Sequence, residues 1–125
     1  MRLLLDTHVL LWSLGDPNEL GDEARSAIVD PDHEVLVSAA STWEIAIKGA
    51  RGKLRVPDDL PGRIAVLHFA ELPVTIAHSI EAGSLPRHHG DPFDRMLVAQ
   101  ARLEDLTIVT RDRALAVYDV STLSA

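Results

Sequence analysis

Short apolar runs, each followed closely by an acid, constrain this chain most. The first is Leu3-Leu4-Leu5, ended by Asp6-Thr7-His8. The last is Thr107-Ile108-Val109-Thr110, ended by Arg111-Asp112. Runs of this kind, rich in β-branched residues and without polar alternation, read as strands buried on both faces. That is the mark of a parallel sheet covered by helices. In such a sheet every strand delivers its carboxyl end to the same edge, and ligands bind there. Acids far apart in sequence then meet. A cluster of like charges is costly unless a cation neutralises it. Asp6, Glu44, Asp94 and Asp112 are therefore candidates for a hard-metal site.

Strands are expected at residues 2–5, 34–38, 73–75, 107–110 and 119–121. Helices are expected at 18–29, 41–51, 60–67, 76–84 and 92–106, with a short piece from Arg113. Gly52 stops the second of these helices. Alternating strands and helices imply an α/β fold. No linker, repeat or low-complexity tract divides the 125 residues, so a single domain covers 1–125.

Each acid also has a purely structural explanation. Asp6 and Asp112 suit helix N-caps. Ser41-Thr42-Trp43-Glu44 has the spacing of a capping box. Asp91 suits an N-cap before Pro92, which places Asp94 in the first turn of its helix. But 94, 97, 98 and 101 share one helix face, so Asp94 lines up with Leu97, Val98 and Ala101. A carboxylate at the rim of an apolar face needs a partner. Capping and ligation are compatible, because helices that follow parallel strands begin at the edge where a site would lie.

The net charge of −7 speaks against a general nucleic-acid binder. Counting the four acids as neutralised by metal brings it to −3. With no cysteine, disulfides and thiolate metal sites are excluded, and a reducing, cytoplasmic location fits. No apolar run approaches the roughly 18 residues of a membrane helix. Asp6 and His8 interrupt the N-terminal apolar stretch, so it does not read as a signal peptide. His88-His89 is an adjacent pair in a loop, a poor basis for a zinc site where oxygen donors dominate. Gly49-Ala50-Arg51-Gly52-Lys53 has the wrong spacing for a phosphate loop. Lys48, Arg51, Lys53 and Arg55 form a basic stretch, either complementing a helix C-terminus or gripping phosphate. Trp12 and Trp43 are expected as core or interface anchors rather than base-stacking platforms.

Four segments together resemble PIN-domain ribonucleases, specifically toxins of the VapC type. They are Leu-Leu-Asp6-Thr7-His, Ser-x-Trp-Glu44, His89-x-Asp91-Pro-Phe-Asp94-Arg95 and Thr110-Arg-Asp112. The resemblance spans nearly the whole chain. It implies a three-layer α/β/α sandwich with a central parallel sheet. It implies that Asp6, Glu44, Asp94 and Asp112 bind Mg²⁺ or Mn²⁺ and carry out hydrolysis of RNA, often transfer or ribosomal RNA. It further implies a homodimer and a small inhibitory antitoxin as partner. Thr7, His89, Asp91, Arg95 and Thr110 are expected around the site, as supports of the ligands or contacts to substrate.

Two rival classes are weaker. A phosphatase or phosphotransferase with Asp6 as nucleophile would want a second acid two positions on, where His8 stands. A non-catalytic binding domain would use the acids only as caps.

Overall fold

The computed structural model describes residues 1–88 and 90–125; His89 lies outside the described residues. The strands are β1 (Arg2–Leu5), β2 (Glu34–Ser38), β3 (Ala70–Leu72), β4 (Thr107–Thr110) and β5 (Ser121–Ser124). The helices are α1 (Thr7–Gly15), α2 (Asp22–Val29), α3 (Ala39–Ala50), α4 (Leu60–Val66), α5 (Ile76–Ser84) and α6 (Pro92–Glu104). Two 3₁₀ turns, Pro17–Glu19 and Arg113–Val117, complete it.

The sheet is parallel throughout, in the order β3-β2-β1-β4-β5. From β1 the chain steps outward to β2 and β3, then returns to the other side of β1 for β4 and β5. The strand order thus reverses between β1 and β4. In an open parallel sheet a crevice forms at the carboxyl ends beside such a switch point.

Alternate residues of the central strands serve two cores. Leu3, Leu5, Val35, Val37 and Val109 pack with Val9, Leu10, Leu20, Ala24 and Ile45 on one face. Leu4, Leu36 and Ile108 pack with Leu97, Val98, Ala101 and Leu115 on the other. Both faces of β1 are buried, which is why its apolar run is unbroken. The three-layer α/β/α sandwich follows directly.

Several boundaries differ from the sequence expectation, α3 among them, which starts at Ala39 rather than Ser41. β3 lies at Ala70–Leu72, not 73–75. The Pro73 carbonyl instead accepts from Gln100 Nε2, and the Thr75 amide donates to His78 Nδ1 as part of a capping box on α5. These residues are a helix entrance. β5 begins at Ser121, after a turn that holds Asp119 and Val120. The 18–29 helix begins only at Asp22, because Leu20 and Gly21 are extended. Gly52 does end α3 as expected, at φ 69°. Among the described residues, no helix is long and apolar enough to cross a membrane.

Ile108 is fully buried in the central strand β4. Ile108→Ala should therefore cost about 2–5 kcal/mol of unfolding free energy, measured by urea titration. A loss below about 1 kcal/mol would contradict the double-sided burial of β4.

Candidate active site

β1 ends in Asp6, which caps α1. Its Oδ1 accepts from the Val9 amide at 2.8 Å, and its Oδ2 accepts from Thr110 Oγ1 at 2.5 Å. Thr110 ends the neighbouring strand β4. Its hydroxyl also accepts from the Asp112 amide at 3.0 Å. One threonine thus joins the ends of β1 and β4 and orients the turn that carries Asp112. Asp112 caps the following 3₁₀ turn through the Ala114 amide.

Glu44 is not a capping residue. Ser38 is the N-cap of α3, its Oγ accepting from the Ala40 amide at 3.0 Å. Ser41 lies inside the helix, buried and without a hydrogen-bond partner. The capping box anticipated from Ser41-x-x-Glu44 is therefore absent, because α3 starts directly after β2. Glu44 is only 4% exposed. It accepts from Thr7 Oγ1 at 2.5 Å and from Lys48 Nζ at 2.5 Å. A buried carboxylate is expensive unless paired, and here Thr7 and Lys48 are the partners.

Asp91 does cap α6, accepting from the amides of Phe93 and Asp94. Asp94, one turn in, is half-buried. Its pKa is pushed up to about 7, first by burial and then by the charges of Asp91, Glu44, Asp112 and Asp6. The acids drawn from four separate segments thus act on one carboxyl group. Burial also raises the pKa of Asp6, and the Asp112 charge adds to this. The Thr110 and Val9 hydrogen bonds and the nearby His8 oppose it. Lys48 is held charged by its bond to Glu44 and also feels Asp91 and Asp94.

Lys48 was read from sequence as part of a basic stretch. Its place among the acids was signalled only by the i,i+4 spacing from Glu44. Arg95 turns away from the acids. Its guanidinium donates to the carbonyls of Ala82, Leu85 and Pro86 and so ties the start of α6 to the end of α5.

All the donors are carboxylate oxygens, which suit Mg²⁺ or Mn²⁺ rather than zinc. Among the described residues, no three acidic or histidine side chains stand close enough to enclose an ion by themselves. Mg²⁺ does not require that. It commonly binds through one or two carboxylates and completes its shell with water and substrate phosphate.

Fold and edge together define the class: a three-layer α/β/α protein with an acid cluster at the switch point of a parallel sheet. The PIN-domain family model matches residues 3–120, and the chain belongs to that family. It is 31% identical over 116 residues to Ribonuclease VapC22 of Mycobacterium tuberculosis, covering 90% of this chain and 88% of that protein. Its fold matches VapBC2 from Rickettsia felis, solved bound to a promoter DNA fragment. The TM-score is 0.74 at 11% identity, over 100% and 99% of the two chains. DNA-bound VapBC from Salmonella typhimurium gives a TM-score of 0.68 at 15% identity, over 99% and 98%.

The raised pKa of Asp94 has a stability consequence with a definite sign. The folded protein holds this proton up to about pH 7, whereas an ordinary aspartate gives it up near pH 3.8. The folded state binds the proton more tightly, so stability is lost as pH rises through this window. In chelator, Asp94→Asn should raise the melting temperature above wild type. That advantage should grow from about pH 4 to pH 7 and then level off. A pH-independent difference would show that burial and the neighbouring acids do not raise the proton affinity of Asp94.

Proposed function

We propose that this protein is a divalent-metal-dependent endoribonuclease, the toxin of a type II toxin–antitoxin pair acting in the cytoplasm. The observation that carries this reading is the Asp94 carboxyl at the carboxyl edge of the sheet, its pKa raised first by burial and then by the charges of four other acids. Helix capping accounts for Asp6, Asp91 and Asp112, but not for Glu44 and Asp94 facing the same edge. A cationic ligand does. The 31% identity to Ribonuclease VapC22 supports RNA as the substrate class, with transfer or ribosomal RNA as the expected target.

Asp6, Glu44, Asp94 and Asp112 would hold Mg²⁺ or Mn²⁺. When bound, such an ion supplies an activated water and charge neutralisation at a phosphodiester. The chain's own groups prepare that chemistry. Thr110 and Thr7 lock the rotamers of Asp6 and Glu44, so both carboxylates are positioned before substrate arrives. Asp94 would have to be ionised to hold such an ion, so activity should rise with pH towards neutrality. Water then attacks phosphorus in line, and the P–O3′ bond breaks. The proton ends on the departing O3′, leaving 5′-phosphate and 3′-hydroxyl ends. Lys48 adds a positive charge beside the phosphate path. Asp91 supports the cluster as the cap that aims the first turn of α6, and Arg95 supports it by fixing α6 against α5. His89, next to this cap in sequence, is proposed as a contact to substrate phosphate.

The VapBC complexes among the structural neighbours support a cognate antitoxin as partner. This protein has apolar surface for such a partner to cover. Val29 on α2 and Val66 on α4 stand exposed beside a cleft that Phe69 also lines. A homodimer is part of the same proposal.

Purified protein incubated with total cellular RNA should give discrete fragments in Mg²⁺ or Mn²⁺ and none in chelator. Asp94→Asn should lower cleavage by at least about a hundredfold while remaining folded. No cleavage by well-folded, antitoxin-free wild type on several RNA pools would overturn the nuclease assignment. Thr110→Val keeps the shape of the side chain but removes the hydroxyl that fixes Asp6. It should slow cleavage roughly tenfold, the size of effect expected from loss of a group that orients a ligand. An unchanged rate would show that Asp6 needs no such support.

A further inference from the structure

The two tryptophans have different surroundings. Trp12 is partly buried, with the Arg111 guanidinium 4.2 Å from its ring centre. Trp43 is 63% exposed. Large aromatic side chains ordinarily bury roughly 150–250 Å² each, so this ring forgoes most of the gain its size offers. Yet it is held in place. Phe93 meets it edge-on, with ring centroids 5.5 Å apart and planes at 75°.

The location of this ring pair gives it meaning. Trp43 immediately precedes Glu44 on α3, and Phe93 immediately precedes Asp94 on α6. The aromatic contact therefore bridges the two helices that supply two of the site acids. Basic charge lies on the same side of the chain's course. Lys48 is one turn beyond Glu44, and exposed Arg51, Lys53 and Arg55 follow the end of α3. In a protein of net charge −7, this segment is the place for a polyanion to run. An exposed, edge-braced ring beside a phosphate-cleaving site and a basic strip has the components of a single-strand platform. Such a platform stacks a base while cations track the backbone.

Building on the nuclease reading, we infer that Trp43, braced by Phe93, stacks an unpaired nucleobase of the RNA next to the scissile phosphate. This reverses the expectation that Trp43 serves as an anchor. Stacking on one face of a fixed indole requires a base already out of a duplex, so this residue selects single-stranded RNA. It discriminates weakly among bases, because every base offers a π-face. It acts as a specificity and positioning residue and takes no part in proton transfer.

The test measures binding apart from cleavage. Asp94→Asn serves as the non-cutting background, with Mg²⁺ present. Fluorescein-labelled 12-nucleotide single strands of uridine and of adenosine, and a 12-base-pair RNA duplex, are titrated by anisotropy. Adding Trp43→Ala should weaken binding of both single strands roughly tenfold, the size carried by one lost base–aromatic stack. Duplex binding should change less than about twofold, and Trp43→Phe should recover most of the loss. The melting temperature should stay within about a degree, because the ring is largely outside the core. In the otherwise wild-type chain, Trp43→Ala should also reduce cleavage of total RNA.

Equal single-strand affinity with and without Trp43 would overturn the inference while leaving the nuclease intact, if the wild-type chain still cleaves. A shift from dimer to monomer by light scattering, with duplex and single strand weakened alike, would overturn it in favour of a contact between copies. Failure of the wild-type chain to bind or cleave any RNA would remove the nuclease reading and this inference together.

Discussion

The hydrogen bond from Thr110 to Asp6 is the hinge on which the site depends. It joins residues 104 apart in sequence, at the ends of two adjacent parallel strands. The strand order places β1 beside β4, and the register sets Leu5 opposite Val109. The next residue on each strand then meets its neighbour at the sheet's edge. Because Thr110 also receives the Asp112 amide, a single hydroxyl sets the placement of two acids. α3 begins where β2 ends and delivers Glu44 within its first two turns, whereas α6 follows α5, to which Arg95 ties its first turns, and delivers Asp94 in its first turn.

The fold serves this edge at some cost. Glu44 and Asp6 are nearly inaccessible, and a buried carboxylate is costly without a partner. Hydroxyl partners recover part of that cost for each acid: Thr7 for Glu44 and Thr110 for Asp6. Among the described residues Asp94 has no comparable hydroxyl partner, and its proton affinity is raised. Placing local disfavour at a working site is a common arrangement, since consistency elsewhere in the fold can support it.

The strands buried on both faces were legible in the sequence, because double-sided burial leaves an unbroken apolar run that few other structures produce. The outer strands were not. β5 reads Ser-Thr-Leu-Ser and is largely exposed, so no hydrophobic pattern marks it. β3 is three residues long and lies beside Pro73, which drew the expectation towards the following turn. The positions of Asp6 and Asp112 just after β1 and β4 were legible for the same reason as those strands, whereas Glu44 and Asp94 stand on helices. What surrounds them was less so. Ser41 was expected to cap α3, but the helix starts directly after β2 and Ser38 caps it instead. Lys48 belonged in appearance to a run of basic residues, and its pairing depends on which face of α3 turns inward. Arg95 stands beside Asp94 in sequence but points to the end of α5, a direction that only the packing of the two helices fixes. The exposure of Trp43 is of the same kind, since nothing in the order of residues separates it from Trp12.

The ion pair between Lys48 and Glu44 has a consequence for the order of events in the life of the molecule. Many small metalloproteins cannot fold before their ion arrives, because their ligands repel one another until it does. Here the chain brings its own cation, four residues along the same helix. Lys48 moderates the acidic edge from the moment α3 forms. The first counter-charge that Glu44 meets is thus a neighbour on its own helix, present as soon as the turn between them closes.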